Sequence, residues 1–585
     1  DRLPLTPNGK VDRKALPEPD RIRPEFEETY IAPQTTVEKQ LAGIWAQVLG
    51  LEKVGINDKF FELGGDSILS FQVISKANLA GLYLTPKQLF QHQTIAELAT
   101  VASTNISMSA EQGLVTGSFP LTPIQRWFFE ENFSNYHHYN QAVLLEVQQA
   151  LNPVLLEQVI HYLLRHHDVL RSQFIQESSK WQAMIGEFEQ VAPITVIDLS
   201  TLPPESQSAA ITATCSELQA SLNLSRQLLR VALLNLGINQ HNRLFIVIHH
   251  LVVDGVSWRI LLEDLQTAYA QLSQGETIKL PPKTTSFKQW ADQLQQYAQS
   301  ALAQEEMDYW LQIRDQPCSS LPVDYPGGNN IMSSAGSVTV TLSAEETQAL
   351  LQDVPAAYRT QINDVLLVAL VQAFAKWTGQ TTLLLDLEGH GREEILTDAD
   401  ISRTIGWFTS LFPIVLSVEE TSNPGEALKI VKEQLRQIPN RGIGYGVLYY
   451  LNEDRRMTDV LRSLPKAEVI FNYLGQLDQV LNTSSMFKFA SESDGSNQSD
   501  RNHRSYLLEI DGSIISGQLK LQWRYSHNLH KQSTVETLAQ GFIEALRSII
   551  AHCQSPEGVG FTPSDFPLVQ LNQTELDLAL QQISF

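Results

Sequence analysis

Cysteine is scarce in this chain: Cys215, Cys318 and Cys553 are the only three in 585 residues. They lie far apart, and no CxxC pair or Cys/His spacing of the zinc-binding kind is present, so no metal site is expected. An odd, sparse set fits free thiols in a reducing compartment, and a cytoplasmic location is expected. Basic residues are also in deficit, with 42 Lys and Arg against 65 Asp and Glu and a net charge of −23. Nucleic acid and anionic membranes both require a basic footprint, so neither is expected as a partner. Any apolar run of membrane-spanning length is missing too. The longest candidate, Val365 to Ala375, contains Gln372 and reads as a buried helix. There is no initial Met; the chain opens at Asp1 inside a motif and is expected to be a piece of a longer protein.

A chain of this length exceeds what one core organises, so several domains are expected. Hydrophobic residues make up 43% and charged residues 18%, an ordinary balance for folded protein. Residues 1–20 are rich in Pro and charge, and 21–33 continue as a polar linker. Residues 34–101 read as a small four-helix unit. Thr35 and Glu38 have capping-box spacing, and Leu41, Ile44, Trp45 and Val48 then repeat on one face as far as Gly50. A second helix is predicted near Ser67 and a third at Thr85-Pro86. A fourth is predicted after Thr94, with Glu97 in its capping box. Residues 102–117 are a Ser/Thr/Gly-rich tether. The remainder, by size, should form two lobes, 118–290 and 291–565, with a polar tail or linker over 566–585. Leu244–Ile248, Val338–Leu342, Thr382–Leu387, Phe412–Val418 and Val469–Tyr473 read as strands, and Trp258–Leu272 as an amphipathic helix. The fold class is α/β or α+β.

Several groups of residues could carry chemistry. Ser67 follows Gly64-Gly65-Asp66 at a helix start, where a serine serves either as an N-cap or as an exposed hydroxyl. His249-His250 ends a strand and is followed by Asp254-Gly255. Such a pair serves packing, metal binding or general base catalysis. The preceding strand and Gly255 argue against the helical face on which His250 and Asp254 would share a metal. Glu388 opens the Gly389-His390-Gly391 turn, where glycines imply a close backbone approach. Asn472 and Tyr473 follow the apolar Val469-Ile470-Phe471.

Phe60-Phe61-Glu62-Leu63-Gly64-Gly65-Asp66-Ser67 resembles the attachment site of peptidyl carrier domains. The resemblance implies that Ser67 bears a 4′-phosphopantetheine arm installed by a phosphopantetheinyl transferase. Asp66 resembles the form found in carriers that feed epimerisation domains. Leu3 to Arg13 resembles the last core motif of adenylation domains, with Lys10 at the acyl-adenylate-contacting position. This makes 1–20 a remnant of an upstream adenylation domain.

His249-His250-Leu251-Val252-Val253-Asp254-Gly255 resembles the HHxxxDG motif of the condensation superfamily, which has the chloramphenicol acetyltransferase fold. This implies that His250 is catalytic and that Asp254 is structural, with Arg392 as its expected partner. The words Pro123–Phe128, His166–Arg171, Asp254–Ile260, Glu388–Glu393, Gly406–Thr409, Gly442–Gly446 and Phe471–Gln476 resemble, in order, those of epimerisation domains of nonribosomal peptide synthetases.

The implied architecture is a multidomain chain: an all-α four-helix carrier bundle tethered to an α/β, two-lobed, V-shaped acetyltransferase-like domain. The implied reaction inverts Cα of a carrier-bound L-aminoacyl or peptidyl thioester. His250 and Glu388 would be the catalytic pair, and Asn472 and Tyr473 oxyanion or supporting residues. His167, His249 and His390 are expected to be structural. The arm on Ser67 is the one cofactor implied, and a downstream condensation domain the further partner. Two alternatives remain, peptide-bond formation and passive docking of the carrier. DGVSWRI, EGHGR and FNYLGQ speak against the first, and intact His250 and Glu388 against the second.

Overall fold

The computed structural model describes residues 30–103, 110–188, 194–238, 240–316, 319–396, 399–418, 423–476, 486–555, 558–566 and 571–582. The adenylation-like stretch with Lys10, and Cys318, lie outside the described residues. The chain divides into two compact units, Asp1–Ile106 and Ser107–Phe585.

Helices Thr36–Leu49, Ser67–Leu79, Pro86–Gln91 and Ile95–Val101 build the first unit. Local chemistry starts three of them: Thr35/Glu38, Thr85/Gln88 and Thr94/Glu97 form reciprocal capping boxes. Gly50 ends the first helix in the left-handed conformation, at φ 70°. Leu41, Trp45, Leu69, Ile74 and Leu98 close around Phe60 to form the core. The second helix is capped by Asp66, whose Oδ1 accepts from the N–H groups of Ile68 (2.9 Å) and Leu69 (2.7 Å). Ser67 is therefore not the cap; it is the first helical residue.

Among the described residues, the second unit contains two larger sheets and a three-stranded one. The five-stranded sheet runs in the order Phe487–Phe489, Asn140–Val147, Arg243–His249, Leu229–Asn235, Ile194–Asp198. Its middle strand is buried throughout, as its unbroken apolar run from Leu244 to Ile248 demands. The Phe487–Phe489 strand pairs with Val147–Leu145 across the expected lobe boundary at 290/291. The N-terminal lobe is thus completed by a segment from the other half of the chain, because an open edge there gains ladder hydrogen bonds by pairing.

The six-stranded sheet is ordered Ser410–Ser417, Thr382–Gly389, Val469–Gln476, Leu508–Ile515, Gln518–Ser526, Ala335–Thr341. Its alternation separates two faces. Leu383, Leu385, Phe471, Tyr473, Ile510 and Trp523 join the core with the helices Ile362–Thr378 and Gln532–Cys553. The opposite face carries Asp386, Glu388, Asn472, Glu509, Asp511 and Arg524. The registers Leu387 with Phe471, Asn472 with Asp511 and Glu509 with Arg524 align them. The 566–585 stretch contains a helix, Gln573–Gln582, with Leu576 buried and Gln573 Nε2 donating to the Phe561 carbonyl (3.0 Å). Among the described residues, no helix is long and apolar enough to cross a membrane.

Candidate active site

The buried Arg243–His249 strand runs into a short helical turn, His250–Val252, which carries His250 off the end of the sheet. Ring Nδ1 of His250 donates to the Val253 carbonyl (2.9 Å), because a carbonyl can only accept. The neutral ring therefore keeps its lone pair on Nε2, which lies 3.0 Å from Gln141 Nε2. Trp407 covers the ring at a centroid distance of 4.2 Å, and Tyr139 lies at 5.7 Å. Burial pushes the His250 pKa down, against the pull of its backbone hydrogen bonds and of Asp254. A histidine so held is a proton acceptor at neutral pH. Its neighbour His249 is fully buried. Nε2 donates to the Tyr136 carbonyl (2.8 Å), Nδ1 accepts from the Leu251 N–H (3.2 Å), and burial lowers its pKa to about 3.

Glu388 is not a solvated loop carboxylate. It lies near the end of the Thr382–Gly389 strand, half-buried on the polar face. Burial first, then the negative charges of Asp511 and Glu509, raise its pKa from 4.5 to about 8, with Arg524 opposing. Asn472 Nδ2 donates to Glu388 Oε2 (2.8 Å) from the neighbouring parallel strand. Tyr473 points the other way, into the core with Phe471. The two expected supporting residues thus part company, since consecutive strand residues face opposite sides. Asp386, two residues before Glu388, accepts from the Tyr506 hydroxyl (2.7 Å), and burial raises its pKa to about 6.

Tyr139 links the two halves. Its ring stacks on His250, and its hydroxyl feels Glu388, whose charge adds to burial in raising the phenol pKa. A cavity of about 330 Å³ adjoins the site, with Trp127, Asp386, Trp407, Leu411, Tyr445 and Tyr506 in its wall. Trp407 is the residue that packs on His250, and Leu411 pairs in register with Glu388.

Asp254 caps the helix Gly255–Ser273, its Oδ1 accepting from the Ser257 N–H (2.7 Å) and its Oδ2 from the Phe408 N–H (3.1 Å). Arg392, 1% exposed, donates to the same carboxylate (3.2 Å) and to the carbonyls of Ile401 and Thr404, and its guanidinium lies 3.9 Å from the Phe408 ring centroid. The arrangement pins the 406–409 stretch, and with it Trp407, over His250. Gly391 has φ 64°, and a Cβ there would come within 1.6 Å of the Phe408 carbonyl oxygen. The close approach at Gly391 is thus to the chain's own backbone, at the wall of the cavity. His390 is structural in the same corner, with Nδ1 accepting from the Arg392 N–H (3.0 Å).

His166, His167 and Asp264 bring three potential metal-ligand atoms within 4.8 Å, a grouping that the sequence spacing does not suggest. His167 Nε2 lies 2.9 Å from Asp264 Oδ2, while Arg403 occupies Oδ1 (2.5 Å). The carboxylate is already neutralised by an arginine, and the cluster holds two elements together as an ion pair. Sequence pattern does not mark Gln141, Tyr139, Asp386 or Trp407 as site residues. Trp407 belongs to the Gly406–Thr409 motif, and the others carry no signal beyond a polar or aromatic residue near a strand.

In the carrier unit, among the described residues, no hydrogen bond engages the Ser67 hydroxyl, since Asp66 has taken the cap. A free hydroxyl at the start of a helix fits phosphopantetheine attachment.

Residues 115–571 match the condensation-domain family and residues 39–102 the phosphopantetheine-attachment-site family. The chain belongs to the condensation-domain family. It is a carrier domain, which takes covalent phosphopantetheine, followed by a condensation-family domain, and its homologues are nonribosomal peptide synthetase subunits. It is 49% identical to a subunit of the linear gramicidin synthase of Brevibacillus parabrevis over 98% of this chain, and spans 11% of that relative. It is 40% identical to tyrocidine synthase 1 of Brevibacillus parabrevis over 99% of this chain, and spans 53% of that relative. The condensation-family domain is similar to the crystallised epimerization domain from the third module of tyrocidine synthetase B. The TM-score is 0.72 and the identity 36%, covering 76% of this chain and 99% of that one. Neither family match reaches the 1–20 stretch.

Proposed function

We propose that the condensation-family domain inverts Cα of an L-aminoacyl or peptidyl thioester delivered by a carrier, with His250 and Glu388 as its acid/base pair. What carries this reading is that burial leaves the two groups in opposite protonation states, one without and one with its labile proton. His250 is held neutral with its basic lone pair on Nε2, where the Gln141 amide sits, and Glu388, whose pKa burial raises to about 8, is protonated at neutral pH. One accepts a proton while the other donates one, as inversion requires and as two groups in the same protonation state could not do. The similarity to an epimerization domain over nearly its full length supports the same reading.

The thioester carbonyl acidifies the Cα hydrogen. His250 Nε2 takes it from one face, charge builds on the thioester oxygen, and the Glu388 carboxyl returns a proton to the other face. Asn472 orients that carboxyl. Asp254 and Arg392 hold the corner around Trp407 and so act by positioning. The arm proposed on Ser67, installed by a phosphopantetheinyl transferase, supplies the thioester linkage and the reach. An upstream adenylation domain would load it and a downstream condensation domain would take the product. The free, buried Cys215 and Cys553 support a reducing, cytoplasmic setting.

The test is a chiral assay. The protein, loaded on its carrier with an L-amino acid, is quenched, hydrolysed and analysed for D product, with a free acceptor carrier present. D product with an unacylated acceptor is expected; dipeptidyl product at comparable rate, or no inversion, overturns the proposal.

A further inference from the structure

Gln141 stands on the Asn140–Val147 strand with its side chain between two rings. The indole N–H of Trp258 donates to Gln141 Oε1 (2.9 Å), and Gln141 Nε2 faces His250 Nε2 at 3.0 Å. An indole nitrogen can only donate, so the amide must present its oxygen to Trp258 and therefore its NH₂ to the histidine. Nδ1 of the same histidine is engaged by the Val253 carbonyl, which can only accept. Every polar role in the chain Trp258, Gln141, His250, Val253 is thereby set, and all are compatible with one state of the ring: Nδ1–H, with a lone pair on Nε2.

We infer that Gln141, locked by Trp258, is a positioning residue that keeps His250 neutral and in its Nδ1–H tautomer. This rests on the epimerase reading only for its catalytic meaning. An imidazolium carries a hydrogen on both nitrogens, and the second would point at the amide NH₂ with nothing to accept it. Protonation then requires Gln141 to turn over, which in turn leaves the Trp258 N–H facing another donor. Leaving a buried polar group without its partner costs about 1–3 kcal/mol.

Among the described residues, the other groups around the ring do not supply an alternative acceptor for Nε2. Tyr139 and Trp407 present ring faces. Asp254 draws the ring toward protonation, but its carboxylate is engaged by Arg392, Ser257 and Phe408. His249 is held neutral by burial, and Glu388, protonated at neutral pH, is not among the groups that shift His250. The amide is thus the group that decides whether a proton can rest on Nε2 before substrate arrives.

The experiment is a ¹⁵N-histidine NMR titration of the full chain, with the His250 resonances identified by their loss in His250→Gln. Wild type should show the Nδ1–H tautomer and stay neutral across pH 6–8. Gln141→Glu places an acceptor opposite Nε2 and should raise the His250 pKa by at least about one unit, moving the acid limb of inversion upward equally, about tenfold in rate per unit. Trp258→Phe frees the amide to turn and should raise the pKa by less, and it keeps the test alive if the glutamate variant does not fold. An Nε2–H tautomer in wild type, or an unshifted His250 titration in a folded Gln141→Glu or Trp258→Phe variant, overturns the inference. Because the titration needs no turnover, this failure is distinct from a failure of the chiral assay.

Discussion

Asn472 donates to Glu388 across two adjacent parallel strands, 2.8 Å from Nδ2 to Oε2. The contact exists because Asn472 and Glu388 share the polar face of the sheet, where Asp511 and Glu509 add negative charge. Asn472→Asp would place another carboxylate at that distance. Repulsion should raise the Glu388 pKa further, and inversion should fall at least about tenfold. Asn472→Leu should also slow inversion, but without moving the alkaline limb of the pH profile as far. The two profiles, measured side by side, check this.

The ionisation of the pair predicts how its variants fail. Glu388→Gln keeps a neutral His250, so in deuterated water it should exchange the Cα hydrogen of one enantiomer while inversion drops by ~10²–10⁴. His250→Ala should lose inversion to a similar degree and exchange little at pH 7. Above pH 8, as Glu388 ionises, it should begin to exchange the other enantiomer. Chiral chromatography with mass spectrometry reads both quantities. Identical behaviour of the two variants would remove the two-face arrangement.

Glu388 also predicts a stability slope. In the folded protein it holds its proton up to about pH 8, against 4.5 for an ordinary glutamate. Folding therefore takes up a proton between those values, and the stabilising contribution present below pH 4.5 is lost as pH rises through 8. The slope is about 1.4 kcal/mol per pH unit inside the window. Glu388→Gln should gain on wild type in melting temperature from pH 5 to 8.5, and a constant difference would show that the carboxyl is not shielded.

Asp254 joins Arg392, the Ser257 N–H and the Phe408 N–H. Asp254→Ala leaves a buried guanidinium without its counter-charge and should cost roughly 3–5 kcal/mol, seen as a lowered denaturant midpoint. Activity should fall with it, because the 406–409 stretch loses its anchor over His250.

In the carrier, Asp66 and Ser67 divide two tasks. Asp66→Ala removes the cap and should lose ~0.5–2 kcal/mol of stability. Ser67→Ala should leave melting nearly unchanged and abolish the phosphopantetheine mass addition by a transferase with coenzyme A. Mass addition to the alanine variant would refute Ser67 as the attachment point.

Much of this molecule is legible along the chain, for a local reason. Capping boxes at Thr35 and Thr94, the helix start at Thr85-Pro86, the stop at Gly50 and the strand Leu244–Ile248 are each decided by residues within a few positions of one another. Backbone groups there find partners, or an apolar run finds burial, whatever the rest of the chain does. The ordered motifs around His250 and Glu388 point to the family for the same reason.

Tertiary structure decided what depends on faces and on distant partners. It sent Asn472 to Glu388 and Tyr473 to the core, because a single strand residue reverses direction. It gave the Gly391 turn to Phe408, and brought Phe487–Phe489 across to the N-terminal sheet. It set Gln141, 109 positions from His250 in the chain, against its ring nitrogen. Sequence determined that a histidine and a glutamate stand at these positions, but their proton affinities come from burial and neighbouring charge, which exist only once the two lobes have folded around them.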